Sequence, residues 1–305
     1  MNTHLMPIIN FILGLVLSPL LLGIINKTKA FFAGRNGPPL LQLYYDLDKL
    51  FRKGAVYSRT TTWVFKAVPF VGVAAAIGAL LITPFASEKA LLAFPCDVVL
   101  LAYWLGLMRF FTVLAALDTG SAFEGMGASR EVQFALLAEP AILLGMAALA
   151  CMTGSLSLSE IYARVEPQAL MLSGSGALLV AGALFVAMLA ETARVPVDDP
   201  NTHLELTMIH EVMVLDHSGV DFGMILYGAA LKLWVLGALF TELMLPFKTN
   251  WMALNLLFSL ACMAVLAVFI GVIESSVARL RLLRVPQFLT AAIVMSALAM
   301  ILVIK

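Results

Sequence analysis

The sequence predicts an all-α, polytopic membrane protein of about eight transmembrane helices with long cytoplasmic loops. Three observations carry that expectation. The 305 residues are 62% hydrophobic and only 12% charged, where soluble domains run near 45–50% and about 25%. Apolar runs of about 20 residues, the length that crosses a hydrocarbon core, recur eight times. The basic residues are also distributed unevenly between alternate connections.

The first apolar run, Leu5 to Ile25, has no basic stretch before it and Lys27 and Lys29 after it, so it reads as a retained helix and not as a removable signal. Further spans are expected at 63–83, 98–117, 134–153, 171–190, 223–245, 252–273 and 288–304. The connections 26–62, 118–133, 191–222 and 274–287 hold 12 Lys and Arg residues. The other side holds Lys89, Arg164, Lys248 and Lys305. By the positive-inside rule the first set faces the cytoplasm and both termini face outward, in an inner membrane. The chain is thus expected to be one membrane domain over 1–305, with cytoplasmic docking loops at 26–62 and 191–222. Loops of that length are usually functional.

Several chemistries find no support. With 19 basic and 19 acidic residues, nothing suggests a nucleic-acid partner. Cys96, Cys151 and Cys262 stand apart without CxxC spacing, which argues against zinc or an iron–sulfur cluster held by this chain. No phosphate-binding loop, dinucleotide fingerprint, HExxH or haem-attachment motif occurs. His203, His210 and His217 recur every seventh residue. On a helix, neighbours would lie about 10 Å apart, too far to share one metal.

Ionisable groups at membrane depth cost roughly 2.5 to 3.5 kcal/mol each, so those retained mark candidate function. Glu139 precedes Pro140 inside the fourth span, Glu191 ends the fifth, Lys232 lies inside the sixth and Glu274 ends the seventh; Glu242 lies near the outer end of the sixth. Together they read as protonatable stations, or as side chains that snorkel or pair locally. Lys66 and Arg109 also fall inside or at the ends of helices. The third loop carries Glu191, Asp198, Asp199, Glu205, Glu211, Asp216 and Asp221 against a single Arg194. Crowded carboxylates raise one another's pKa, which suits proton exchange; an acidic face for a basic partner is the alternative.

Leu189, Ala190, Glu191, Thr192, Arg194, Pro196 and Asp198 resemble the LAETxRxPxD signature of the complex I membrane subunit beside the quinone site. Arg35, Gly37 and Pro38, then Leu40 to Gln42, then Asp46 to Leu50 follow that subunit's order in the first loop. Leu117 to Glu131 and Ile273 to Leu282 are similar to segments of the membrane subunit of formate hydrogenlyase and related energy-converting nickel–iron hydrogenases. The first loop is shorter than in complex I, and after Asp198 only Glu205 and Leu206 match the glutamate-rich pattern clearly.

The resemblance implies a non-catalytic, membrane-anchoring and coupling subunit of a multisubunit membrane-bound hydrogenase. It would link redox chemistry in a soluble arm to proton or sodium translocation. The alternative is the quinone-site subunit of a complex I-type NADH:quinone oxidoreductase. On this resemblance Glu139 and Glu191 are the lateral proton-path carboxylates and Glu205 is the entrance; Lys232 and Glu274 join the path by their place in or at the ends of spans. Arg35, Asp46 and Lys49 of the first loop, Asp118, Glu124 and Arg130 of the second, and Arg194, Asp198 and Glu211 of the third would dock the arm. No cofactor is expected on this chain. A nickel–iron centre and iron–sulfur clusters would lie in the partners: a hydrogenase-like large subunit, an iron–sulfur small subunit and a ferredoxin-like subunit. Antiporter-like membrane subunits would lie alongside, in the bilayer.

Overall fold

In a computed structural model, residues 5–165, 174–198, 209–244, 249 and 251–304 are described. Among them the chain is all-helical, with an isolated bridge between Phe85 and Glu88 as the sole strand-like pairing. Ten α-helices follow in order: α1 Leu5–Phe32, α2 Gln42–Phe51, α3 Trp63–Ile82, α4 Asp97–Asp118, α5 Ala122–Thr153, α6 Leu158–Arg164, α7 Gly174–Glu191, α8 Gly219–Met244, α9 Met252–Ser276 and α10 Val285–Ile304. Short 3₁₀ turns occupy Glu211–Val214 and Leu282–Arg284.

Seven of these helices are long and apolar enough to cross a membrane by length and composition. The eighth expected crossing corresponds to α7, and residues 171–173 of that span lie outside the described residues. The largest departure from the sequence expectation is in α5. It begins twelve residues before the predicted span, so residues 122–133, expected to be loop, are its first three turns. The reason is visible in the side chains: Glu124 and Glu131 are buried against protein, so their polarity marks an internal face and not a solvated connection.

The helices pack around one apolar core that includes Leu101, Met146, Leu149, Met188, Leu231 and Trp234. In the bundle α5 and α7 pack on α10, α3 on α4 and α8, and α1 on α8 and α9. The crossing of α1 and α9 depends on Gly271, because a Cβ there would lie 2.7 Å from Thr28 Cβ and 3.0 Å from the Ile25 carbonyl. Small residues allow such close backbone approach in membrane bundles.

Within α1, Pro19 has no N–H and so leaves the carbonyl four residues earlier without its helical donor. That carbonyl belongs to Leu15, and the Tyr227 hydroxyl of α8 donates to it at 2.9 Å. The Tyr44 hydroxyl of α2 donates to the adjacent Val16 carbonyl. The first loop is therefore tied to the bundle by the helix it contains. The end bearing the 26–62 and 191–222 connections is called the basic end below.

Candidate functional site

The site assembles where α4, α5, α7 and α8 meet toward the basic end. Arg109 of α4 is its hub. Its Nε lies 3.1 Å from Glu131 Oε1, its Nη1 donates to Glu139, and its Nη2 donates to Glu191. Lys232 Nζ of α8 approaches the other Glu191 oxygen at 2.7 Å. Carboxylates from α5 and α7 thus converge on cations from α4 and α8. Removing such charges from water costs several kcal/mol per ion, so each persists only because the others are there.

The network continues out of the bundle through Glu131, whose Oε2 lies 3.3 Å from His210 Nε2. His210 Nδ1 lies 3.6 Å from Asp198 Oδ2, and the His210 backbone N–H donates to the same oxygen at 3.1 Å. Asp198 Oδ1 meets Arg279 Nη2 at 2.8 Å. A neighbouring group forms at Glu274, bonded by Arg194 Nη1 at 3.3 Å and paired with Lys29 Nζ at 2.9 Å.

Local sequence explains why His210 lies here. Gly127 sits one helical turn before Glu131, and a Cβ on it would run into the Val212 side chain and come within 2.9 Å of the Ile209 carbonyl. The missing side chain lets the 209–214 segment lie directly on α5. One turn earlier, Glu124 Oε1 accepts from the Asp216 backbone N–H at 3.2 Å and holds the far end of that segment. The Leu280 N–H donates to the Pro196 carbonyl at 3.0 Å, which brings Arg279 to Asp198.

Outside the membrane-spanning helices, two histidines are driven in opposite directions. Burial alone would lower the pKa of His210, but the Glu131 and Asp198 carboxylates outweigh burial and the opposing Lys232 charge, so it is raised. Asp198 is lowered, because the hydrogen bonds and charge of His210, with the Arg279 charge, overcome its burial. His217 is buried with its ring stacked on Phe65, centroids 3.8 Å apart, and burial pushes its pKa down to about 4. The seven-residue spacing of these histidines therefore joins two unlike environments. Among the described residues no cluster of His, Cys, Asp and Glu is arranged to hold a metal ion.

The residues expected from sequence divide into three sets. Glu139, Glu191 and Lys232 come together on Arg109, while Glu274 lies in the adjacent group with Arg194. Glu205 lies outside the described residues. Of the docking candidates, Arg35 and Lys49 are exposed, and half-buried Asp46 accepts from Gln42. Arg194, Asp198 and Glu124 are buried in internal contacts. Asp118 accepts from the Thr62 backbone N–H at 2.7 Å and hydroxyl at 3.0 Å, at the N-cap of α3. Arg130 is half-buried with Nη2 2.9 Å from Met126 Sδ, and half-buried Glu211 opens the 3₁₀ turn. Glu242 accepts from the Ala86 and Ser87 N–H groups at 2.7 and 3.1 Å and from Ser259 Oγ at 3.0 Å. Sequence reasoning did not assign Arg109 its role, although a guanidinium within an apolar run was the available signal. Glu131, His210 and Arg279 were not assigned places in the network because their partners are remote in sequence.

The fold and this network define a multi-pass membrane protein with a buried ionic network among its helices. The chain belongs to the NADH dehydrogenase subunit 1 family: the NADH dehydrogenase profile matches residues 4–305. Formate hydrogenlyase subunit 4 of Escherichia coli K12 is 30% identical over 97% of both chains. Hydrogenase-4 component C of the same organism is also 30% identical, over 93% of this chain and 91% of that one. An NADH-quinone oxidoreductase subunit of Anaplasma phagocytophilum is 27% identical over 72% of this chain and 69% of its own. A chain in the solved structure of an archaeal membrane-bound sulfane sulfur reductase superposes with a TM-score of 0.83 at 20% identity, covering 99% of this chain and all of that one.

Proposed function

We propose that this chain is the membrane-anchoring and coupling subunit of a multisubunit, membrane-bound hydrogenase complex. It links redox chemistry in a soluble nickel–iron and iron–sulfur arm to the movement of protons or sodium ions, and catalyses no redox step itself. The observation that carries the reading is the Arg109 hub, in which one guanidinium holds Glu131, Glu139 and Glu191. A carboxylate that shares a cation with two others can gain or lose a proton while the remaining pairs hold the site together.

Position supports the same reading. Glu191 and Glu131 are enclosed, whereas the Glu139 side chain is 44% exposed on the flank of the bundle. A half-exposed, cation-paired carboxylate within a membrane span needs water or a further protein to cover it, and an antiporter-like subunit would do so. At the basic end, exposed Arg35 and Lys49 in the 26–62 connection offer charge to a hydrogenase-like large subunit and its iron–sulfur companions on the cytoplasmic face. Relatedness over nearly full length to a formate hydrogenlyase subunit and a hydrogenase-4 component favours the hydrogenase type of partner.

The test is purification through a tag on this chain in gentle detergent, with mass spectrometry of co-purifying proteins and metal analysis. The proposal expects a nickel-containing large subunit, iron–sulfur proteins and antiporter-like subunits. Flavin-bearing NADH-oxidising subunits without nickel would replace it with the complex I reading, and a clean monomer would remove both.

A further inference from the structure

The ionic network contains a group whose protonation decides its charge balance. Among the described residues, Glu131, Glu139, Glu191 and Asp198 are four carboxylates linked, through ion pairs, to three lasting cations, Arg109, Lys232 and Arg279. His210 lies between Glu131 and Asp198 and is the fourth basic member of the chain of contacts. As an imidazolium it matches these four carboxylates charge for charge; as a neutral ring it leaves one of the four in excess. Low-dielectric surroundings make that difference large.

Geometry makes His210 a junction as well as a counter-charge. Its two ring nitrogens point at different carboxylates, one in the segment after α7 and one on α5. Its side chain is 29% exposed, whereas Glu131 is 8% exposed and Arg109 7%. It is therefore more open to the basic end than the Glu131 and Arg109 groups it leads to, while Glu139 is exposed on the flank of the bundle. The groups that face it are Glu131 from α5, Asp198 from the post-α7 segment and Lys232 from α8, with Glu211 next to it in its own turn.

We propose that His210 is the proton relay between the post-α7 segment and the intramembrane carboxylates, passing its Nε2 proton to Glu131. In that step the N–H bond at Nε2 breaks and an O–H bond forms at Glu131 Oε2. A charged pair becomes a neutral pair, with no change in net charge and no electron transferred. Arg109, no longer held by a charged Glu131, keeps Glu139 and Glu191 as its remaining anions, so the step changes the field at Glu139. His210 is then reprotonated from the side of the basic end, where its side chain as a whole is partly exposed. A 3.3 Å separation is close to the 2.6 to 3.2 Å over which such transfers occur, and these contacts often tighten during turnover.

This inference rests on the coupling function proposed above, and its test separates the two. Inverted membrane vesicles carrying the full complex are supplied with reduced methyl viologen. Hydrogen evolution is recorded together with proton uptake by acridine-dye quenching and with radioactive sodium uptake. The readout is ions moved per hydrogen formed, for wild type, His210→Gln, His210→Lys and Glu139→Gln. The relay predicts at least a tenfold lower ratio in His210→Gln. It also predicts that His210→Lys, which restores the positive charge but holds its proton too tightly near neutral pH, assembles normally and stays uncoupled. In wild type the ratio should fall as pH rises through the raised pKa of His210, and in His210→Lys that dependence should vanish. A wild-type ratio in either His210 variant, with Glu139→Gln uncoupled, would overturn the relay and leave the coupling function standing. Should Glu139→Gln keep the wild-type ratio, the coupling function fails and the relay falls with it. If His210→Gln does not assemble, the His210→Lys comparison still decides.

Discussion

The clustered carboxylates of the basic end and the two at the opposite end, Asp97 and Glu242, are kept by different means. At the basic end Glu131, Glu139, Glu191, Asp198 and Glu274 lie against guanidinium, ammonium and imidazole groups. At the opposite end Asp97 accepts from the Leu158 N–H at 2.5 Å and Ser157 Oγ at 3.0 Å, and Glu242 accepts from the Ala86 and Ser87 N–H groups. Both arrangements offset the cost of burying a carboxylate, but they leave different freedom. Ion pairs that share one cation can be re-partitioned when a proton arrives, whereas backbone N–H donors fix an acceptor in place. Asp97 and Glu242 hold the loop ends at 157–158 and 86–87, the latter with left-handed backbone at Ala86 and Ser87. Carboxylates thus share a cation around Arg109 and clamp loop ends at Asp97 and Glu242.

The largest effect that would separate the ends is expected from Arg109→Met. It takes the shared cation from three carboxylates, leaving Glu191 with Lys232 and Glu131 with His210, and breaking a buried ion pair from one side costs about 3 to 5 kcal/mol. Thermal unfolding of the purified complex should show a loss of that order; a change under about 1 kcal/mol would mean the hub is not the support described.

Asp97→Ala should cost less, about 1 to 3 kcal/mol, because the Leu158 N–H and Ser157 hydroxyl lose their acceptor. Its distinguishing mark is that coupling per turnover is preserved in whatever complex survives. Uncoupling by this variant would erase the distinction between the two ends.

A smaller contrast lies within the basic end itself. His217 is kept neutral with a pKa of about 4. Between pH 6.5 and about 4 the unfolded chain binds this proton more readily than the folded one, so stability falls as pH drops through that window. His217→Phe should remove the loss, and the melting temperature of the variant relative to wild type should rise steadily from pH 6.5 toward 4. His210 has the opposite sign. Its raised pKa gives a stabilisation that is full below about 6.5 and lost as pH rises through its higher folded-state value. Parallel melting curves for the His217 variant and wild type across the acid range would refute the neutral assignment.

The smallest expected effect is at a cap. Thr62 Oγ1 accepts from the Val64 N–H at 3.3 Å, while Asp118 accepts from Thr62. Thr62→Val should cost about 1 kcal/mol, read from the same unfolding transitions. No measurable loss would show that Asp118 alone sustains the start of α3.

What could be read before the structure follows from this contrast. Membrane spans are legible because the requirement is local: about 20 apolar residues serve wherever they occur. Glu139, Glu191 and Lys232 were legible for the same reason, as charges surrounded by apolar residues. The start of α5 was not, since Glu124, Arg130 and Glu131 look like a solvated loop until the partners of Glu124 and Glu131, Asp216 and His210, are brought over them. Nor was the hub. Arg109 lies 22, 30 and 82 residues from its three carboxylates, and no periodicity reports such separations. Asp118 and Asp198 were read as docking residues; their contacts inside the chain, with the α3 cap for Asp118 and with His210 and Arg279 for Asp198, were not legible because those partners are remote in sequence.

The central claim is that the Arg109 end moves ions while the Glu242 end holds structure. Its most direct test compares Glu139→Gln with Glu242→Gln in inverted vesicles, measuring ions taken up per hydrogen evolved. Glu139→Gln should lower the ratio at least tenfold, while Glu242→Gln should leave it within a factor of two of wild type. An unchanged ratio in Glu139→Gln, or a collapse in Glu242→Gln, would contradict the claim.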